Sequence, residues 1–109
     1  MKYRNTFQKG SVRFIVFREG DTWYGTCLEF NIVESGDTSR EALLLLFEAV
    51  QGYLESARKI KARPQILNQK SDPEYEEMWN KLKERKKIPA KEIFTFGNLN
   101  IGSRAMTPA

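Results

Sequence analysis

From Val12 to Phe17 the chain is apolar on both alternating faces, broken only by Arg13, and its residues are β-branched or aromatic. That pattern predicts a central strand with side chains buried above and below. Glu19-Gly20-Asp21 supplies turn residues, after which Thr22 to Glu29 reads as a second strand. It places Trp23, Gly25 and Cys27 on one face and Tyr24, Thr26 and Leu28 on the other. Phe30-Asn31 turns the chain again, and Ile32 to Gly36 is a short third strand. Tight connections between neighbouring strands predict an antiparallel meander.

At Asp37-Thr38-Ser39-Arg40-Glu41 the period changes from two to 3.6. Thr38 is spaced to accept from a free amide of the first turn, and Glu41 to accept from the amide of Thr38, which marks a helix start. The stretch is free of proline to Lys61 and carries Ala42, Leu43, Leu46, Phe47, Ala49, Val50, Tyr53, Leu54, Ala57 and Ile60 on one broad face. That face is expected to cover the sheet. Leu44 falls on the opposite, charged side, where it is either a solitary surface leucine or a second contact.

Pro64 ends the helical pattern, and Pro64 to Lys70 is expected to be extended. Ser71 and Asp72 before Pro73 announce a second helix, with Glu74, Glu76 and Glu77 near its start and Lys83, Arg85, Lys86 and Lys87 near its end, as the helix dipole favours. Its apolar stripe is thin, Tyr75, Met78, Trp79 and Leu82, and predicts a satellite docked along one seam. Beyond Pro89, Glu92 to Phe96 alternates like a strand, Gly97-Asn98 reads as a turn, and Leu99 to Ile101 as a returning arm.

The fold class expected is therefore α+β. A three-stranded antiparallel sheet covered by one long amphipathic helix is followed by a second helix and a C-terminal strand or hairpin. Residues 1–62 form the β-β-β-α domain and residues 63–101 a C-terminal extension. Residues 102–109 are expected as a flexible tail, and the first eleven residues to fray.

The length of 109 residues suits one compact domain, and 40% hydrophobic with 29% charged residues suits a folded one. The single cysteine, Cys27, excludes an internal disulfide, and the opening residues lack the features of a secretory leader, so a cytoplasmic location is expected. The longest apolar run, Ala42 to Phe47, is far below the roughly 20 residues of a membrane span.

A net charge of +4 leaves nucleic acid as a partner class. The positive charge gathers at Arg58, Lys59, Lys61 and Arg63 and again from Lys81 to Lys91. Within the second group Lys81, Lys83, Arg85, Lys86 and Lys87 are the candidate nucleic-acid-binding residues, flanked by aromatic groups at Tyr75 and Trp79. The bland reading of the same run is a solvated helix face, partly offset by Glu74, Glu76, Glu77 and Glu84.

Catalytic chemistry finds few carriers. The chain has no histidine, the commonest general base near neutral pH and a frequent metal ligand. Cys27 lies in an apolar strand, where a small buried hydrophobe is expected rather than a nucleophile. Asp21 belongs to a turn, Asp37 to a helix cap, and Glu29 and Glu34 to strand ends. No enzyme, metal site or cofactor is expected. Leu44, Tyr75, Trp79, Phe94 and Phe96 are the candidate partner-binding residues, and unpaired strand edges favour a homodimer or higher self-association.

One order of motifs spans Val12 to Ile60: an apolar strand, Gly20-Asp21, Trp23-Tyr24-Gly25, Cys27, Gly36-Asp37-Thr38, Glu41-Ala42, then the long helix. In this it resembles the N-terminal module of HicB-like antitoxins. Phe30-Asn31-Ile32 stands where that family often carries a proline-rich segment. The resemblance implies a partial RNase H-like fold, a three-stranded antiparallel sheet and one helix followed by a further strand. It also implies a non-catalytic antitoxin of a type II toxin-antitoxin system, or an orphan derivative, that neutralises a small RNase toxin by protein-protein contact. Many members add a C-terminal DNA-binding domain. Ser71 to Lys87 supplies one helix without a following recognition helix, which fits a reduced or orphan member.

Overall fold

A computed structural model of the chain describes residues 4–102. The meander forms as the alternation requires: β1 (Ser11–Glu19), β2 (Thr22–Cys27) and β3 (Ile32–Gly36) pair antiparallel, with Phe17 opposite Tyr24 and Thr26 opposite Val33. α1 (Ser39–Lys59) then runs back across one face. Thr38 Oγ1 accepts from the amide of Glu41 at 3.1 Å, while Glu41 Oε1 accepts from the amide of Asp37 at 3.2 Å. The reciprocal half of the cap thus reaches one residue further back than the spacing predicts.

Where the sequence predicts extended chain, Pro64–Leu67 forms a 3-10 turn. Its carbonyls are taken up by neighbouring side chains: Pro64 C=O accepts from Asn68 Nδ2, and Ile66 C=O from the Tyr53 hydroxyl at 2.7 Å. α2 (Pro73–Lys83) starts on Asp72, which accepts from the amide of Glu74 at 2.8 Å. The last element, β4 (Lys91–Asn100), is one continuous ten-residue strand rather than a hairpin turning at Gly97-Asn98. It lies antiparallel to β1 over the whole length of that strand, Ser11 opposite Asn100 and Glu19 opposite Lys91. Pairing with a long central partner outweighs the local turn preference of Gly97-Asn98.

The sheet is therefore four-stranded and antiparallel, in the order β3-β2-β1-β4. A strand entered directly from the end of α1 would run parallel to β1. The intervening α2 carries the chain back along the sheet, so that β4 returns in the opposite sense.

Both faces of the sheet are covered. On one, Val12, Phe14, Val16, Cys27 and Leu99 meet Ala42, Leu46, Val50 and Leu54 of α1. On the other, Ile15, Phe17 and Leu28 meet Met78 and Trp79 of α2, flanked by Tyr24, Tyr75, Leu82, Ile88 and Ile93. α2 is thus the lid of a second core, not a satellite of the first. Ile60, expected on the buried face of α1, is the C-cap residue and lies 76% exposed beyond the end of the sheet.

The segment before β1, expected to fray, is tied down from Asn5 onward. The Asn5 side chain is fully buried: Nδ2 donates to Leu67 C=O at 2.9 Å and Oδ1 accepts from the amide of Ser11 at 2.9 Å. Asn5 and Asn68 also exchange backbone and side-chain bonds at 2.8 and 2.9 Å. The expected tail, residues 102–109, lies outside the described residues except for Gly102.

Candidate partner-binding surface

Two glycines set where α1 lies on the sheet. A Cβ at Gly25 would stand 3.0 Å from Ala42 C=O and from Leu46 Cβ, and one at Gly36 would stand 2.9 Å from the amide of Ala42. Their absence lets α1 settle directly on β2 and β3, towards that side of the sheet, with a lighter contact to β1. The β1–β4 side of the same face is filled instead by aromatic groups. Phe47 of α1 meets Phe14 edge-on at 5.4 Å, and Trp23 meets Phe94 edge-on at 6.2 Å.

Phe94 reaches this face because of a bulge. Thr95 pairs with Val16 and Ile93 with Phe17, so Phe94 is the extra residue, turned towards Trp23. It remains 50% exposed, and the Arg18 guanidinium lies over the Trp23 ring at 5.7 Å. The result is an aromatic step on the α1 face, a partly buried Trp23 beside a half-exposed Phe94.

Phe96 is placed on the other side of the sheet. It stands opposite Ile15 and contacts Trp79 edge-on at 5.8 Å, yet stays 42% exposed at the edge. Trp79 itself is buried, capped by the Arg13 guanidinium at 5.6 Å from its ring. Tyr75 is half-buried against Phe17, and burial, reinforced by Glu74, pushes its hydroxyl above the ordinary phenol range. Leu44 points away from the sheet on the outside of α1, over a shallow depression of about 390 Å³ lined by Thr38, Arg40, Glu41 and Leu45. The five candidate residues therefore do not form one patch: Tyr75 and Trp79 belong to the second core, and Leu44, Phe94 and Phe96 lie on three different surfaces.

Arg13 ties the second core together. Its Nη1 and Nη2 donate to the two carboxylate oxygens of Glu76 at 2.8 and 2.7 Å, and Nε donates to Glu29 at 2.7 Å. Ser71 Oγ completes the set by donating to Glu76. Glu76, with Glu29 behind it, holds the guanidinium charged above its ordinary range against the burial that opposes this. In return Arg13 draws the Glu76 carboxyl below the usual carboxylate range.

The basic run ends α2. Lys81 pairs with Glu77 at 3.4 Å, Lys86 with Glu84 at 2.8 Å and Lys91 with Glu74 at 3.2 Å. Lys83, Arg85 and Lys87 are exposed and free of ion pairs among the described residues. A depression of about 550 Å³ beside them carries both signs of charge, Arg18, Lys87 and Lys91 with Glu92.

Of the acids weighed for chemistry, Glu29 is held by Arg13, and Asp37 joins the α1 cap through its backbone amide, which donates to Glu41. Among the described residues no group of three or more His, Cys, Asp or Glu side chains is gathered as a metal ion would require. Cys27 is buried, and burial pushes its thiol up to about 12, so it stays protonated and unreactive at neutral pH. No helix among the described residues is long and apolar enough to cross a membrane.

Compared with protein-family models, with curated proteins and with solved structures, the chain matches none.

Sequence reading did not single out Trp23, which is partly buried beside the half-exposed Phe94. The alternation put it correctly on the face of Gly25 and Cys27, the face that α1 covers. The pair of glycines on that same face, at positions 25 and 36, is the signal that α1 sits to one side.

Proposed function

We propose that this chain is a non-catalytic protein-binding module, a HicB-like antitoxin or an orphan derivative of one, that grips a small RNase toxin. The observation that carries the reading is the aromatic pair of Trp23 and Phe94 on the α1 face, edge-on at 6.2 Å, in which Phe94 is 50% exposed and Trp23 is partly buried against the core. Rigid aromatic side chains partly exposed at the surface, with an arginine over one ring, are the usual makings of a protein-binding hot spot. The β-β-β-α order supports the antitoxin reading, and α2, with β4 antiparallel to β1, is this chain's departure from a simple helix-then-strand succession. A cytoplasmic location follows from the same reading.

The test is co-expression with the small protein encoded by the adjacent reading frame, followed by an RNA-cleavage assay. A co-purifying complex with cleavage suppressed at equimolar ratio is expected, and Phe94→Glu should weaken binding at least tenfold. Unaltered cleavage with no complex overturns the proposal.

A second reading rests on Lys83, Arg85 and Lys87, the cations at the end of α2 left without ion pairs. In it the chain binds nucleic-acid phosphates there, weakly and without sequence preference. Retardation of a mixed-sequence duplex at low salt, lost in the triple alanine variant, is its expected mark. No retardation at any salt concentration rejects it.

A further inference from the structure

The outer edge of β4 is the longest unpaired strand edge of the sheet. From Ile93 to Leu99 it has neither a charge nor a proline. Edge strands are ordinarily protected by charge, proline, brevity or a cover. β3, the opposite edge, follows that rule: it is five residues long, carries Glu34 and lies under α1. β4 does not. Its two charged residues are at its start and are occupied within the chain, Lys91 by Glu74 and Glu92 by Arg18.

The backbone bonds fix which groups face outward. Ile101 donates to Gly10 C=O, and Leu28 donates to Arg13 C=O, both at 2.9 Å. Alternation then turns Arg13, Ile15 and Phe17 towards β2 and Val12, Phe14 and Val16 towards β4. On β4 the amides of Thr95, Gly97 and Leu99 are used by β1, and those of Phe96, Asn98 and Asn100 point out of the sheet. The bulge at Phe94 breaks this rhythm at one end and Gly102 ends it at the other.

The geometry points to a second copy of this chain as the occupant of that edge, paired antiparallel across a twofold axis at Asn98. Of the registers that set outward amides against outward carbonyls, this one gives the longest uninterrupted ladder. Asn98 faces its own copy, and Phe96 and Asn100 face Asn100 and Phe96 of the second chain, with about two hydrogen bonds per pair.

A twofold axis brings like against like, so any charge near it would repel its own image. The stretch from Thr95 to Ile101 contains none. The paired length is about 24 Å and the sheet with its side chains about 20 Å thick, which buries roughly 500 Å² per chain. The total, roughly 1,000 Å², meets the lower bound of a specific interface and fits a weak, reversible dimer. The Trp23–Phe94 step lies on the α1 face and is left open, so the dimer and the toxin-binding reading stand or fall separately.

Sedimentation equilibrium between about 1 and 200 μM tests this. The expected mass rises with concentration from 12.7 kDa towards twice that value. Asn98→Pro should hold it at the monomer value with unchanged thermal unfolding, because the lost amide faces away from β1. A chain that stays monomeric throughout the range, or an Asn98→Pro variant that dimerises as before, overturns the proposal.

Should the proline variant unfold, cysteine cross-linking replaces it. At the axis the two Asn98 Cα atoms stand about 5.5 Å apart, within disulfide reach. With oxidised glutathione Asn98→Cys should form covalent dimer at least tenfold faster than Asn100→Cys, while buried Cys27 stays silent. Equal rates at the two positions, or no cross-link at Asn98, overturn it.

Discussion

At the scale of single residues, three positive-φ positions bear on stability, one in one direction and two in the other. Gly10 has φ +129, and a Cβ there would overlap the Asn5 carboxamide that joins the amide of Ser11 to Leu67 C=O. Gly10→Ala therefore adds strain and displaces a buried, fully bonded side chain. A loss of about 2–3 kcal/mol in urea unfolding is expected. A change below about 0.5 kcal/mol would show that Asn5 is not the tie of the N-terminal segment. Lys61 and Arg85 are the reverse case. Each follows a helix C-cap at φ +52 and +59, in the position where glycine is preferred. The bonds around them are those of a Schellman motif: Ala62 donates to Ala57 C=O, and Lys86 to Lys81 C=O. Replacing either residue by glycine relieves the left-handed strain but removes a cation from the helix C-terminus, a partial offset. A net gain of about 0.5–1 kcal/mol each is expected, additive in the double variant because the sites share no partner. The same Arg85→Gly variant should retard nucleic acid less well if the phosphate-binding reading holds.

At the scale of elements, α2 is held by one large side chain and one ion network. Trp79 is buried between Arg13 and Phe96, so Trp79→Ala removes most of its contact with the sheet. A cost of about 3 kcal/mol is expected, with faster amide exchange in α2 than in α1. Equal acceleration in both helices would show that the two cores unfold as one unit. The elements themselves were largely legible: β1 from its two-faced apolar run, α1 from its cap and its broad stripe, α2 from Asp72-Pro73. What escaped was decided by partners distant in sequence. The Pro64–Leu67 turn closes because Tyr53 and Asn68 satisfy its carbonyls, and β4 runs straight through Gly97-Asn98 because β1 offers a partner along its whole length. The candidate surface was legible only in part for the same reason. A thin stripe on α2 looks like a docking seam until Ile15 and Phe17 are seen to need a cover, and they take Tyr75 and Trp79 for themselves. Phe94 and Phe96, singled out as partner-binding candidates, are both exposed, but the bulge that sends them to opposite faces leaves no trace in the alternation.

At the scale of the whole molecule, acid acts through two separable routes. The first is local: Arg13 lowers the Glu76 carboxyl in the folded chain relative to the unfolded one. A carboxyl lowered in this way contributes stability that is fully present above the ordinary carboxylate range and is lost as pH falls through the folded-state value. The second is global. With 18 Lys and Arg against 14 Asp and Glu, protonating the acids removes negative charge that now offsets most of the positive charge, and the molecule repels itself. Salt screens the global term over about 10 Å at 0.1 M but scarcely touches a bidentate pair in contact. Lowering the pH from 7 to 3 should therefore reduce Tm, with amide exchange in α2 rising ahead of that in β1 and α1. Adding 0.5 M salt at pH 3 should recover part of the lost Tm. Glu76→Gln should lower Tm at pH 7, by the equivalent of about 1 kcal/mol, and reduce the further loss between pH 5 and 3, because the pair that acid breaks is already gone. If that variant keeps the full pH dependence of the parent chain, the Arg13–Glu76 pair does not hold α2 on the sheet. The second core would then rest on Trp79, Met78 and Tyr75 alone.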